Sequence, residues 1–138
     1  MRTHRKRSET YRIVLADDQR EVRRSLRRFI ERDGTFSVVA EVENGAEAIE
    51  AVDSHPDAMI LDLAMPGVDG MVALAEIMRR APDTRVAVLS SMVPFNGIRA
   101  KALSIGAVEV FDKYTSPKNV IKALIRALPA SPHAFESP

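Results

Sequence analysis

The sequence predicts an α/β fold in which a parallel sheet is covered by helices on both faces. Five short apolar runs recur along the chain, and the segments between them have apolar residues at helical spacing. The first, third and fourth runs are continuously apolar, as in strands buried on both faces of a parallel sheet, and the other two are expected nearer the edges. Such alternation forms βαβ units with right-handed crossovers and a three-layer sandwich. The runs occupy residues 13–16, 38–40, 58–61, 86–89 and 108–111.

Capping signals mark the first two helices. Asp33 and Gly34 supply the stop of the first helix, whose arginines lie opposite its apolar stripe. Asn44, with Glu47 three positions later, resembles a capping box. The second helix is therefore expected to begin at Asn44 and to run towards Ser54.

The remaining three helices also have clear boundaries. Pro82 ends the third helix, Gly106 follows the fourth, and Ser116 with Pro117 provides a cap and a first turn for the last. The residues predicted to face the core are Val22, Leu26, Phe29 and Ile30; Met71, Leu74, Ala75 and Met78; Ile98, Ala102 and Ile105; and Val120, Ile121, Leu124, Ile125 and Leu128.

Length and composition exclude several classes of protein. A chain of 138 residues with 46% hydrophobic residues suits one globular domain. No stretch approaches the roughly 18 apolar residues that cross a bilayer, and the apolar segment after the basic N-terminus is too short for a signal peptide. The sequence has no cysteine, which excludes disulfides and thiolate metal sites. We therefore expect a cytoplasmic protein with no membrane partner.

The net charge of +1 conceals a strongly basic first fifth of the chain. We interpret its arginines as a tail and a solvated helix face, and the tail has no interleaved aromatic residues that would stack on bases. We expect residues 1–10 to be a basic flexible tail, 11–128 the folded domain, and 129–138 a flexible tail or the start of a linker. No helix-turn-helix follows residue 128, so we expect no sequence-specific nucleic-acid binding by this chain.

Polar side chains follow four of the predicted strands. Asp17 and Asp18 come after the first strand, Asp62 after the third, Ser90 after the fourth, and Lys113 closely follows the fifth. The carboxyl ends of parallel strands meet at one edge of the sheet, where ligands bind. We therefore expect three carboxylates, a hydroxyl and an ammonium group to converge there.

The chemistry of these groups indicates a cation and a phosphoryl group. Two carboxylates about 4 Å apart repel by roughly 4 kcal/mol at an effective dielectric near 20, so the cluster needs a cation. Oxygen ligands without nearby His or Cys favour Mg²⁺, or Mn²⁺ in its place. Lys113 suits a dianion, and Ser90 can donate a hydrogen bond to it. Together these groups favour phosphoryl transfer to Asp62 as an acyl phosphate.

Four motifs closely resemble those of one family. IVLADD, LDLAMPGVDG, VAVLS and GAVEVFDK resemble the receiver domain of bacterial two-component response regulators, and the resemblance covers roughly residues 10–128. VVAEVENGAEAIE and APDTRVAVLS resemble receivers of the subfamily usually joined to a helix-turn-helix output domain. The resemblance implies a flavodoxin-like (βα)5 fold, a doubly wound parallel sheet with strand order 2-1-3-4-5.

The resemblance also implies a role for each site residue. Asp62 would be the phosphoacceptor, Asp18 a direct Mg²⁺ ligand, and Asp17 a ligand acting mainly through water. The backbone carbonyl of Ala64 would complete the metal site. Ser90 would be the switch hydroxyl, Lys113 the lysine that pairs with the phosphate, and Pro66, Gly67 and Gly70 would shape the loop beyond the acceptor.

The family implies a partner histidine kinase as phosphodonor, and a downstream protein or the chain's own output domain as the recipient of the signal. A homodimer is left open. The family usually has an aromatic residue three positions before the lysine, whereas this chain has Val110 there and Phe111 one residue later. We interpret Phe111 as a core residue. The apolar loop Ser91 to Phe95 either docks a partner or caps the site.

Two other functions compete with a phosphorylated signalling module. A pseudo-receiver, acting as a phosphorylation-independent binding module, is the alternative that the altered switch position supports. A phosphatase of the haloacid-dehalogenase type also uses an Asp nucleophile with Mg²⁺. It needs a second Asp two residues later, where this chain has Ala64. We therefore expect no turnover enzyme.

Overall fold

The computed structural model describes residues 10–91 and 97–130 and shows five parallel strands with helices on both faces. The strands lie in the order β2-β1-β3-β4-β5, so the predicted flavodoxin-like sheet with edge strands two and five is confirmed. No helix in these two ranges is long and apolar enough to cross a membrane. The elements are β1 Tyr11–Ala16, α1 Arg20–Asp33, β2 Phe36–Val42, α2 Gly45–Ala51, a 3-10 turn Val52–Ser54, β3 Ala58–Asp62, α3 Gly70–Arg80, β4 Arg85–Ser90, α4 Ile98–Ile105, β5 Glu109–Asp112 and α5 Pro117–Ala127.

Two apolar clusters hold the three layers together. One lies between the sheet and α2, α3 and α4 and includes Leu61, Leu74 and Ile77. The other lies between the sheet and α1 and α5 and includes Ile60 and Leu124. All five residues of β3 are buried, as expected for a central strand covered on both faces.

Two details of α5 differ from the prediction. Ser116 precedes the helix and Pro117 occupies its first turn, but the Ser116 side chain makes no capping hydrogen bond. The Ser116–Pro117 pair therefore predicted the start of the helix correctly, but the predicted capping hydrogen bond of Ser116 was wrong. Ile125 was predicted to face the core and is 40% exposed, whereas Val120, Ile121 and Leu124 are buried.

The predicted cap of α2 is present. The Asn44 side chain accepts a hydrogen bond from the backbone N–H of Glu47 at 2.9 Å, and the Glu47 carboxylate accepts one from the N–H of Glu43 at 3.0 Å. We expect Asn44→Ala to lower the free energy of unfolding by about 1 kcal/mol, measured by urea denaturation, because the N–H of Glu47 loses its partner. Ser116→Ala removes no capping bond and is the matched control, with an expected change within about 0.5 kcal/mol. Equal losses in both variants would contradict this account of the caps.

Candidate phosphoacceptor and metal site

The predicted site residues meet at the carboxyl edge of the sheet. Asp17 directly follows β1, Asp62 is the last residue of β3 and Ser90 is the last residue of β4. Lys113 follows β5, and its backbone N–H donates to the Ser90 carbonyl at 3.2 Å. Asp17, Asp62 and Ser90 are buried, whereas Asp18 is exposed. The site is therefore a buried charged cluster with one open side.

Lys113 pairs with two buried carboxylates. Its Nζ lies 2.7 Å from Asp62 Oδ2 and 3.4 Å from Asp17 Oδ1. Burial by itself lowers the pKa of Lys113, but the hydrogen bond and charge of Asp62 and the charge of Asp17 outweigh it and raise the pKa above its ordinary value. The lysine is therefore held as a cation between the two acids.

Asp62 is held from two sides. Oδ2 accepts from Lys113, and Oδ1 accepts from the backbone N–H of Ala64 at 3.0 Å. The residue is completely buried. Since neither carboxylate oxygen is free to rotate away, the group is fixed in one orientation at the strand end.

One carboxylate oxygen of Asp17 is buried without a hydrogen-bond partner among the described residues. Its Oδ1 accepts from the backbone N–H of Gln19 at 2.8 Å, but its Oδ2 is buried without a hydrogen-bond partner among the described residues. Burial raises the pKa of Asp17, and the negative charge of Asp62 raises it further. An unsatisfied buried carboxylate oxygen is costly unless a cation binds it.

The donor set fits a hard divalent cation. One oxygen from each of Asp17, Asp18 and Asp62 lies within 4.8 Å of the other two. Carboxylate oxygens without sulfur or imidazole suit Mg²⁺ or Mn²⁺, and the exposed Asp18 leaves a side for water ligands. The partnerless Asp17 oxygen independently indicates a missing positive charge. The carbonyl of Ala64 stays a predicted ligand.

Sequence reasoning did not identify Arg23 as part of this region. Its Nη1 donates to the backbone carbonyl of Asp17 at 2.7 Å, and its Nε donates to Glu41 on β2 at 2.9 Å. The Arg23 side chain is only 11% exposed, so the interpretation of the α1 arginines as a solvated face was wrong for this one. The glutamate on β2 was the available signal, but only the pairing of β2 with β1 brings it under α1.

Val110 and Phe111 lie on opposite faces of β5, because successive side chains of a strand alternate. Val110 is buried in the cluster below α4, whereas Phe111 is partly buried and packs against the cluster below α1 and α5. Phe111 is thus a core-packing residue, as predicted. It cannot replace an aromatic side chain at position 110, because it faces the other layer. Of the predicted apolar loop Ser91 to Phe95, positions 92–95 lie outside the described residues, and so do residues 1–9 of the predicted tail 1–10 and residues 131–138 of the predicted tail 129–138.

Curated proteins that are similar to this chain include a chemotaxis protein and a methylesterase. The chemotaxis protein CheY of Listeria monocytogenes is 35% identical over 116 residues, which cover 83% of this chain and 96% of CheY. Protein-glutamate methylesterase/protein-glutamine glutaminase 1 of Rhodospirillum rubrum is 37% identical over 111 residues, which cover 79% of this chain. The chain spans only 29% of that methylesterase.

Solved structures agree with this fold. The signal receiver domain of the putative response regulator NarL from Mycobacterium tuberculosis has a TM-score of 0.77 and 32% identity, covering 86% of this chain and 95% of that domain. The response regulator domain of Thermotoga maritima CheB has a TM-score of 0.78 and 29% identity, covering 86% and 96%. The family model of the response regulator receiver domain matches residues 13–125. A match of this extent, on a sheet of the expected strand order, shows that the chain belongs to the response regulator receiver domain family.

Proposed function

We propose that this chain is a phosphorylation-dependent signalling receiver of the cytoplasm. Asp62 accepts a phosphoryl group from a partner histidine kinase, and the modified surface is recognised by a downstream protein or by an output domain of the same polypeptide. Residues 11–128 form the receiver unit. The observation that carries the proposal is the buried Asp62 carboxylate, held by Lys113 at 2.7 Å beside two further carboxylates.

Asp62 is suited to act as the nucleophile. Its carboxylate is fixed by Lys113 and by the N–H of Ala64, so the position of the attacking oxygen is set before the donor arrives. The new bond joins a carboxylate oxygen of Asp62 to phosphorus, while the bond from phosphorus to the donor nitrogen breaks and its electron pair returns to that nitrogen. The product is an acyl phosphate.

Asp17, Asp18, Asp62 and the carbonyl of Ala64 would hold Mg²⁺ or Mn²⁺. When bound, the ion supplies positive charge for the carboxylates and for the oxygens of the transferring group. Lys113 supplies a second positive charge from the side of β5. Phosphorylation adds roughly two negative charges and strong acceptor oxygens, and we propose that Lys113 and the Ser90 hydroxyl then bind these oxygens.

The switch surface is proposed to be α4 and β5. The Ser90 carbonyl at the end of β4 accepts a hydrogen bond from the backbone N–H of Lys113, which follows β5. A shift of either residue would therefore move the ends of both strands. A local change of charge can bias two packings of such a surface. Phosphorylation would then act as a population shift.

A second candidate function is a pseudo-receiver that binds its partner without phosphorylation. The observation that favours it is the placement of Phe111 in the opposite layer from Val110, which leaves the switch position without an aromatic side chain. Against turnover as a phosphatase, Ala64 stands where a second carboxylate would be needed as acid and base. We therefore propose a phosphoacceptor and not a turnover enzyme.

The test is intact-mass spectrometry after incubation with a small-molecule phosphodonor, with Mg²⁺ or with EDTA. We expect a gain of one phosphoryl group that requires Mg²⁺ and is lost in Asp62→Asn. Asp112→Asn is the matched control, because Asp112 is an exposed carboxylate at the end of the neighbouring strand β5. Labelling of Asp62→Asn would overturn the acceptor assignment, and no labelling of the unmodified chain would favour the pseudo-receiver.

A further inference from the structure

The outward faces of α1 and α5 carry two rows of exposed basic side chains. The residues recur every four positions, so neighbours in a row are adjacent on the helix surface, and each row winds slowly around its helix by about 40° per step. They are Arg20, Arg24, Arg28 and Arg32 on α1, and Lys118, Lys122 and Arg126 on α5. We call this set the α1–α5 basic face. In the part of the chain that the structure describes, none of them makes an ion pair or a side-chain hydrogen bond.

The basic side chains elsewhere are used differently. Arg79 and Arg80 both bond to Glu76, and Arg99 forms two hydrogen bonds with Glu109. Across residues 10–91 and 97–130, Lys101 on α4 is the only other lysine or arginine with neither kind of contact. Among the residues that the structure describes, half of the lysines and arginines are therefore held by internal contacts, and all but one of the others belong to the α1–α5 basic face.

The two rows form one continuous surface. Both helices pack on the same apolar cluster and contact each other. Each follows a strand of a parallel sheet, so the two helices run in the same direction. The row on α1 spans about 18 Å, since a helix rises about 1.5 Å per residue. Neighbouring helix axes lie about 8–10 Å apart, so the rows present a broad ladder of positive charge.

Few acidic groups oppose this charge. Helix α5 contains no aspartate or glutamate. On α1, Glu31 is already paired with Arg27, which leaves two exposed acids, Glu21 in the first turn and Asp33 at the last position. With a net charge of only +1 for the whole chain, the molecule is polarised, with its excess of cations on this side. A ligand rich in negative charge is complementary to it.

The residue types of the α1–α5 basic face indicate which kind of negatively charged ligand it suits. Arginine binds phosphate through two parallel hydrogen bonds, which favours a phosphate ligand. No exposed residue of α1 or α5 is aromatic, and the exposed Tyr114 lies just before α5, beside the first turn of α1. One ring at the end of the face is not the series of aromatic side chains on which successive single-stranded bases stack. On the two helices themselves, the one large exposed apolar residue is Ile125, which is too little for the buried centre of a protein interface or for insertion into a bilayer.

We propose that the α1–α5 basic face binds the phosphate backbone of duplex nucleic acid without reading its sequence. The ligand chemistry is that of a regular double row of phosphates, contacted by side chains that do not enter a groove. This proposal does not depend on phosphoryl transfer at Asp62.

The test measures fluorescence anisotropy of a labelled mixed-sequence DNA duplex of about 30 base pairs, a length that offers many overlapping sites, with the full chain at several salt concentrations. The face variant is Arg28→Gln/Lys122→Gln. The matched control is Arg79→Gln/Lys101→Gln, which removes the same charge from α3 and α4. The basic residues before β1 are unchanged in both variants, so a difference between them reports the face alone. Circular dichroism confirms that both variants fold.

We expect saturable binding that weakens steeply with salt and is insensitive to duplex sequence. At 0.1 M salt, the face variant should bind roughly 10- to 60-fold more weakly, and its salt slope should be smaller by about 2, because each lost phosphate contact removes about 0.9 of a released counterion. The control should bind within about threefold of the unmodified chain, since non-specific long-range charge alone is screened at this salt.

Three results would overturn the proposal. The first is no binding of the duplex at low salt, and the second is equal weakening by the two variants. The third is tighter binding, through Arg28 and Lys122, of phosphatidylserine vesicles or of polyglutamate than of the duplex. That result would assign the face to a membrane or to an acidic protein.

Discussion

Lys113→Met is expected to lower the free energy of unfolding by about 3 kcal/mol in buffer that contains EDTA. Its Nζ is the positive group nearest two buried carboxylates, Asp62 and Asp17. Removing one partner of a buried ion pair typically costs about 3–5 kcal/mol, because an uncompensated charge stays buried. We expect the low end of this range, since exposed Asp18 leaves one side of the cluster open to water.

The measurement is urea denaturation with and without Mg²⁺. If the carboxylates hold the ion as proposed, Mg²⁺ should stabilise Lys113→Met more than it stabilises the unmodified chain, because the ion then supplies the only strong positive charge in the cluster. Lys101→Met is the matched control. Lys101 is exposed and unpaired among the described residues, so its loss should change stability by no more than about 0.5 kcal/mol. Equal stability of the two variants would mean that Lys113 does not balance the acids.

Gly70→Ala is expected to lower the free energy of unfolding by about 2–3 kcal/mol and to weaken metal binding. Gly70 is the first residue of α3 and lies against the backbone of Leu63, directly after the acceptor. An added Cβ would come within 2.6 Å of the Leu63 Cα and closer still to its carbonyl oxygen. Backbone atoms cannot yield as a side chain does, so the start of α3 or the loop that carries Ala64 must move.

Gly34→Ala separates this clash from the general cost of replacing glycine. Gly34 has a φ of +83° and nothing within 4 Å of the added Cβ, so only backbone strain is introduced, about 1 kcal/mol. Urea denaturation gives both losses, and a Mg²⁺ titration followed by thermal stability gives the effect on the site. A loss in Gly70→Ala no greater than in Gly34→Ala would show that the loop adapts without strain.

Much of the site was predictable because chemistry and topology agree. Apolar runs identify parallel strands, and strands of a parallel sheet end at the same edge. Asp17, Asp62, Ser90 and Lys113 were therefore expected to converge, and the structure brings them together. Gly34, Gly106 and the Asn44 cap were predictable for a local reason, since each acts within a few residues of its own position.

The features that sequence reasoning missed depend on contacts between distant elements. Arg23 bonds both to the Asp17 carbonyl and to Glu41 on β2, and these partners meet only when β1, β2 and α1 are packed together. Ile125 is 40% exposed although its neighbour Leu124 is buried, a difference that the apolar spacing of α5 does not report. The partnerless Asp17 oxygen likewise appears only when all neighbours of the cluster are in place.

The paired hydrogen bonds between Arg99 and Glu109 have a consequence for movement of the α4 surface. The Nε and Nη2 atoms of Arg99 each lie 2.9 Å from an oxygen of Glu109, which ties the first turn of α4 to the start of β5. Sliding α4 along the sheet breaks both bonds, whereas turning α4 and β5 as one body keeps them. Arg99 is exposed to solvent, so the pair is weak and biases this movement without preventing it.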